Sequence, residues 1–398
     1  MTGFSATRLS RLTEAMQAYV DRGEVAGLVA LIAHGDAAHV ETAGVQDLAG
    51  GVRMARDTIF RIASMTKPIA AAAAMILVEE GRLRLDEPVD RLLPELANRR
   101  VLRSIGSELN DTVPANRPIT LRDLLTFRCG FGAVMTPPGT YPIQKAMADA
   151  GLAPGPSPAD FTPDEWVERF AALPLMSQPG EQWLYHTGSD LLGVLIGRAA
   201  GMPFEDFLDR RIFGPLSMAD TGFHVPEAKI DRLATSYIRD AATGQQAVYD
   251  AGRGGRWSKP PTFASGGGGL VSTADDYLAF SRMMLGMGRY RGVRILSRAT
   301  VELMTTDQLT PAQKAASAFY PGFWDAIGWG FGMSVTTARN GYLSVGSYGW
   351  DGGMGTSARN DPKEDLTCIM LTQRMMRSPA PEGLYTDIWQ LAYQALDD

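Results

Sequence analysis

The sequence predicts an α/β fold in which both ends of the chain build a sheet-bearing lobe and the middle forms an inserted helical lobe. Three observations predict it. Strand-like runs bounded by Gly and Asp fall at 26–44. Comparable runs return after about residue 245, and most densely beyond 328. Between them, 163–225 carries helical apolar periodicity. The lobes are therefore placed at 1–85 with 245–398, and at 86–244.

Each element has a local reason. Leu9, Leu12, Met16, Tyr19 and Val20 make an amphipathic opening pattern. Residues 26–44 read as two strands around a Gly35-Asp36 turn, flanked by His34 and His39. Pro68–Val78 is a helix too apolar for a surface. Residues 88–128 read as helix and loop, with a short amphipathic turn at Leu121–Leu125. The Pro- and Gly-rich stretch 135–160 is too long for a plain connector and reads as a surface loop over a site. Helices are expected at Pro163–Ala172, Ser189–Ala200 and Pro203–Ile212. Ser265–Val271 reads as a strand, and its glycines Gly266–Gly269 imply close approach of another backbone. They are not a phosphate loop, because the Gly-Lys-Ser/Thr ending is missing. Ser272–Asp276 resembles a capping box opening a helix over Tyr277–Leu285. Strands at Gly328–Val335, Leu343–Gly349 and Asp365–Leu371 precede a closing helix, Leu384–Leu396.

Composition narrows the function. The 398 residues carry a net charge of −6, which disfavours nucleic-acid and anionic-membrane partners. The longest apolar run is about half the length of a membrane span. No signal peptide is recognised at Met1–Ser5, which points to the cytoplasm. Cys129 and Cys368 are too few for a disulfide framework and read as small buried hydrophobes. His34, His39, His186 and His224 show no metal-binding spacing, so no metal or cofactor is implied. Oligomeric state is not readable.

Chemistry concentrates at Ser64-Met65-Thr66-Lys67, which heads the apolar helix. Helical residues three apart share a face, so Lys67 can reach the Ser64 hydroxyl. A serine needs a neighbouring base to become a nucleophile. A lysine serves as that base only when burial or nearby positive charge lowers its pKa. The pattern also fits a helix-capping serine followed by a solvated lysine. Two features favour chemistry: lysine is scarce here, and a lysine heading a buried helix needs a reason.

A second proton carrier is required for the leaving group. Tyr185, in Pro179–Gly188, is the candidate, with a phenol pKa lowered by Lys67. A tyrosine capping a helix fits the same spacing. His186 is the rival base. An oxyanion hole needs two donors aimed at one point, and the backbone N–H groups of Ser64 and Gly353 are chosen. The Gly-rich segment Gly349–Thr356 fits a plain hairpin equally well. Ser357 is discounted because its surroundings lack the strand-to-helix context of a Gly-x-Ser-x-Gly elbow.

With these segments in place, the chain resembles the serine β-lactamase and penicillin-binding-protein-like superfamily. Within it, the chain is most similar to the class C β-lactamase-related esterases, the family VIII carboxylesterases. The resemblance spans about 10–395 and rests on Phe60–Lys67, Ile119–Thr126, Pro179-Gly180 with Tyr185, Pro215–Phe223 and Ser265–Ser272 in order. It implies a β-lactamase-like antiparallel sheet flanked by helices, an inserted all-α lobe and an active site between them. It further implies Ser64 as acylated nucleophile, Lys67 and Tyr185 as the proton-transfer pair, and Ser64 with Gly353 as oxyanion hole. Which of Lys67 and Tyr185 is the acylation base stays open.

Three departures shape the expected substrate. The family's Tyr-x-Asn is Tyr185-His186-Thr187, its Lys-Thr-Gly is Trp350-Asp351-Gly352, and its His-Thr-Ser-Gly is Phe127-Arg128-Cys129-Gly130. Loss of the lysine removes the cation that would hold a substrate carboxylate. The expected activity is a carboxylesterase for small or short-chain esters, with room for weak β-lactamase activity. An amide or D-amino-acid peptide hydrolase is the alternative, with Asp351 receiving a substrate amine. A catalytically silent binding protein on the same scaffold is the third. Phe131, Trp183, His186, Thr187, Tyr348, Trp350, Asp351 and Gly352 form the expected pocket for a small ester or amide.

Overall fold

A computed structural model describes residues 3–155, 159–240, 243–317, 319–380 and 382–397. The chain opens with α1 (Ala6–Asp21), β1 (Gly27–His34), β2 (Ala37–Gly44) and α2 (Thr66–Glu79). The middle supplies α3 (Leu121–Leu125), α4 (Pro163–Ala171) and α5 (Thr187–Ala200). The last part holds α6 (Ala274–Leu285), β3 (Ile327–Trp329), β4 (Ser334–Thr336), β5 (Tyr348–Gly352), β6 (Thr356–Asp361), β7 (Leu366–Thr372) and α7 (Gly383–Ala395). The seven strands form one sheet in the order β3-β4-β5-β6-β7-β1-β2, antiparallel throughout. The first and last parts of the chain thus meet where β1 pairs with β7, Leu31 opposite Ile369.

Alternation along β1 sorts its side chains between two layers. Leu28, Ala30 and Ile32 face Leu12, Met16 and Ile388 of the two terminal helices. Val29, Leu31 and Ala33 face the layer containing α2 and α6. Each of these Leu and Ile side chains contributes roughly 1.5–3 kcal/mol of burial. The central helix α2 is enclosed on every side, with Ile69 through Ala74 at 0 % exposure. Its five alanines let neighbours pack against the helix backbone. A Cβ on Gly332, in the β3–β4 turn, would meet the Lys67 carbonyl oxygen at 2.7 Å.

The fold class is as expected, with local corrections. Ser265–Gly269 is a turn closed by the Gly269 N–H on the Ser265 carbonyl at 3.0 Å, and only Val271–Ser272 is extended. A Cβ on Gly266 would lie 2.3 Å from the Ser189 carbonyl oxygen, so the glycines do permit a close approach. Gly328–Val335 is a hairpin of two strands rather than one strand, and the next strand starts at Tyr348. Residues 135–160 hold a helix, Pro142–Asp149, started by Pro142 and by Gln144 returning to the Tyr141 N–H; 156–158 lie outside the described residues. Pro203–Ile212 is helical at Phe204–Leu208 and then widens into a π-turn. Thr273 caps α6 by accepting from the Asp276 N–H. Among the described residues no helix is long and apolar enough to cross a membrane.

Candidate active site

Ser64 lies in a tight 3₁₀ turn, Ala63–Met65, that runs into α2. Ala63 takes φ +43°, a left-handed conformation uncommon for a residue with a Cβ. The turn is held by the Thr66 hydroxyl, which donates to the Ala63 carbonyl at 2.7 Å and accepts from the Leu270 N–H at 3.2 Å. Ser64 itself is half-buried.

Lys67 projects back along the same face. Its Nζ lies 2.9 Å from Ser64 Oγ and 3.2 Å from His186 Nδ1, and it donates to the Gly267 carbonyl. The side chain is 0 % exposed. Burial pulls its pKa down to about 7, against the opposing pull of Asp190. A lysine held so is without its proton about half the time at pH 7, and is close enough to take one from Ser64.

Tyr185 reaches the same point from the segment before α5. Its hydroxyl meets Ser64 and accepts the Trp350 indole N–H at 2.6 Å. Lys67 Nζ lies over the Tyr185 ring, 4.5 Å from the centroid. This corrects the expectation of a phenol acidified by Lys67. Burial pushes the Tyr185 pKa up instead, and the nearby Asp351 carboxylate adds to the rise. Tyr185 stays protonated across the ordinary pH range.

His186 follows with φ +87° and ψ −64°, a strained backbone for a side-chain-bearing residue, at a cost of about 1–3 kcal/mol. Both consecutive side chains meet Lys67, Tyr185 with its ring face and His186 with Nδ1, their rings edge to face at 6.0 Å. Thr187 is buried at the first residue of α5.

Asp190 and Gly267 were not legible as site residues. Asp190 Oδ2 lies 3.1 Å from His186 Nε2, while its Oδ1 accepts from the Ser265 hydroxyl at 2.6 Å and the Gly267 N–H at 3.0 Å. The i, i+4 spacing of His186 and Asp190 was the available signal.

Trp350 and Trp183 belong to an aromatic wall around Tyr185. Phe319 lies tilted at 4.7 Å from Tyr185, Phe127 edge-on at 5.6 Å and Trp350 tilted at 5.6 Å, with Trp329 edge-on to Trp350 at 4.6 Å. Two expected pocket residues lie elsewhere. Phe131 packs edge-on against Phe170 at 5.0 Å, in the core of the helical region. Tyr348 is packed beside Pro68 and Phe280. At the end of β5, a Cβ on Gly352 would lie 2.2 Å from the Ile62 carbonyl oxygen, so this strand end presses on the Ser64 turn. Gly353 follows it, and a Cβ there would meet nothing within 4 Å. Neither thiol enters the site. Cys129 and Cys368 are fully buried, and burial pushes the Cys129 thiol up to about 12. Among the described residues no cluster of side chains could hold a metal ion.

The β-lactamase family model matches residues 12–393. The chain belongs to the β-lactamase family. It is 40 % identical over 360 residues to protein Rv1367c of Mycobacterium tuberculosis, covering 89 % of this chain and 87 % of that one. It is 31 % identical to esterase EstB of Burkholderia gladioli, over 93 % of this chain and 92 % of EstB. Among solved structures it is similar to EstCE1, described as a hydrolase with promiscuous acyltransferase activity. That match has a TM-score of 0.81 at 25 % identity, over 97 % and 98 % of the two chains.

Within this β-lactamase-family site, Asp351 is already engaged. Its Oδ1 accepts from the Ser357 hydroxyl at 2.6 Å and its Oδ2 from Arg359 at 2.9 Å. The carboxylate is thereby neutralised by a neighbour on β6.

Proposed function

We propose that this protein is a serine hydrolase that acts through an acyl-enzyme on small or short-chain carboxylic esters. The observation that carries this reading is Lys67 Nζ, sealed from solvent and 2.9 Å from Ser64 Oγ. EstB and EstCE1, an esterase and a hydrolase by name, support the ester class.

In this reading Lys67 takes the Ser64 hydroxyl proton as Oγ attacks the ester carbonyl. The N–H groups of Ser64 and Gly353 receive the oxyanion. The tetrahedral intermediate collapses, the C–O bond breaks, and the departing alkoxide takes a proton from the Tyr185 hydroxyl, which Lys67 restores. Water then attacks the acyl-enzyme with Lys67 taking its proton; the acyl C–Oγ bond breaks, Lys67 returns that proton to Ser64 Oγ, and the acid is released. The raised Tyr185 pKa supports its part as acid and leaves the base to Lys67. The aromatic wall, without a free cation beside it, favours neutral and fairly apolar acyl groups over carboxylate-bearing lactams. The engagement of Asp351 by Arg359 disfavours the amine-binding amide hydrolase. The active site lies where the Ser64 turn, the Tyr185 segment and β5 converge.

The deciding experiment is hydrolysis of a short-chain aryl ester by the wild type and by Ser64→Ala. Turnover by the wild type alone supports the reading. Equal turnover by both removes Ser64 from the chemistry, and no turnover by either moves the amide-hydrolase and silent-scaffold readings ahead.

A further inference from the structure

His186 has no part in the acylation steps above, yet it closes the far side of Lys67. Its Nδ1 is 3.2 Å from Lys67 Nζ and its Nε2 is 3.1 Å from Asp190 Oδ2. An ionised carboxylate only accepts, so Asp190 fixes the proton on Nε2 and leaves the Nδ1 lone pair facing the lysine. Asp190 is itself fixed by Ser265 and the Gly267 N–H. The other ring against His186 is Tyr185, 6.0 Å away between centroids.

Behind this pair lies a cavity of about 250 Å³, lined by His186, Asp190 and Ser265 with Trp166 and Phe263. The His186 and Asp190 side chains are 11 % and 8 % exposed, whereas Lys67 is completely enclosed. On this side, a proton leaving Lys67 meets His186 before it meets solvent.

We propose that His186, held by Asp190, is a positioning residue and proton relay that links the sealed Lys67 to the cavity behind the nucleophile. An N–H bond of the Lys67 ammonium breaks and its proton passes to His186 Nδ1. The imidazolium is balanced by the Asp190 carboxylate and releases its extra proton to water in the cavity. Lys67 Nζ keeps the electron pair that accepts the Ser64 proton. The proposal rests on the reading of Ser64 as nucleophile and Lys67 as base.

The test uses His186→Gly, because glycine adopts the φ +87° of this position without strain. The readout is the rate at which an aryl fluorophosphonate labels Ser64 between pH 5 and 10, which reports nucleophile activation without assuming a substrate. The variant is expected to label at least tenfold more slowly at pH 7, with its rising limb moved to higher pH. Asp190, no longer paired with the imidazole, would hold the proton on Lys67. Free imidazole, entering the enlarged cavity, is expected to restore the rate saturably. A wild-type rate and profile, or a slowed variant indifferent to imidazole, overturns the relay. If His186→Gly does not fold, His186→Asn replaces it: its amide oxygen accepts from Lys67 but carries no proton, so an unmoved limb again overturns the relay. Ser64→Ala is run alongside. Labelling of that variant, or none of the wild type, counts against the nucleophile itself and so against the proposed function.

Discussion

Trp350 donates its indole N–H to the Tyr185 hydroxyl oxygen at 2.6 Å, and so fixes the phenol beside Ser64. Trp350→Phe keeps a ring in the wall and deletes the donor. A buried hydrogen bond of this kind is worth about 1–3 kcal/mol, so kcat is expected to fall roughly 5- to 100-fold. KM for a short ester should change little. A fall in KM affinity with unchanged kcat would make Trp350 a binding residue only.

Activity should follow the protonation of Lys67. The base works when neutral, so kcat/KM for an aryl ester is expected to rise through about pH 7 and then level off. Tyr185 remains protonated well above that range. A profile already flat from pH 5 would take Lys67 out of the base role.

The same burial has a stability signature with a definite sign. Lys67 has a lower pKa in the folded chain, so the unfolded chain binds more protons between about pH 7 and 10. Folding stability from this group therefore rises as pH rises through that window, and its penalty is greatest below pH 7. Lys67→Met is expected to raise Tm at pH 6 and to lose that advantage by pH 10. Thermal scans of both proteins at the two pH values decide it; a gain independent of pH would mean that desolvation is not the cause.

Arg61, three residues before Ser64, and Asp250 are buried at 3 % and 6 % exposure. Arg61 Nε donates to Asp250 Oδ2 at 2.9 Å, and its Nη1 donates to the Ala234 carbonyl at 2.6 Å. Asp250→Ala leaves a buried cation unpaired and is expected to cost about 3–5 kcal/mol of stability, read by denaturant unfolding. Replacing both residues, Arg61→Met with Asp250→Leu, should recover much of it. A single variant as stable as the wild type would show that water reaches Arg61.

Asp351 is expected to be silent in substrate choice. Asp351→Asn should change the ratio of kcat/KM for an amine-bearing ester over its neutral analogue by less than about twofold, since Arg359 already holds the charge. A large drop for the amine substrate alone would bring back the amide-hydrolase reading.

Local spacing made the Ser64–Lys67 contact legible, because three residues on one helical turn share a face whatever the rest of the chain does. Strands β1 and β7 were legible for a similar reason: they are buried on both faces and read as unbroken apolar runs. Strand β6 was not. Its sequence, Thr-Ser-Ala-Arg-Asn-Asp, shows no apolar alternation, and several of its polar groups find partners only on neighbouring strands, as Asn360 accepts from Thr367 at 2.8 Å and Ser357 donates to Asp351. Aromatic residues marked the neighbourhood of the site without saying which would reach it. Trp183 and Trp350 joined the wall, Phe131 and Tyr348 went into the core, Phe319 came in from a segment that carried no signal, and Trp329 from a strand with no site role read into it. Gly267 acts through its carbonyl oxygen, which no side-chain pattern can announce.

The five alanines of α2 have a consequence for how such a site can diversify. A helix buried this completely, with Gly332 seated on its backbone, has little room to shift, so Ser64 and Lys67 form a fixed pedestal. New substrate tastes must then be acquired at the rim, by exchanging rings at positions such as Phe319 and Trp350. Directed variation would be expected to find its improvements there and to meet dead ends along Ala70–Ala74.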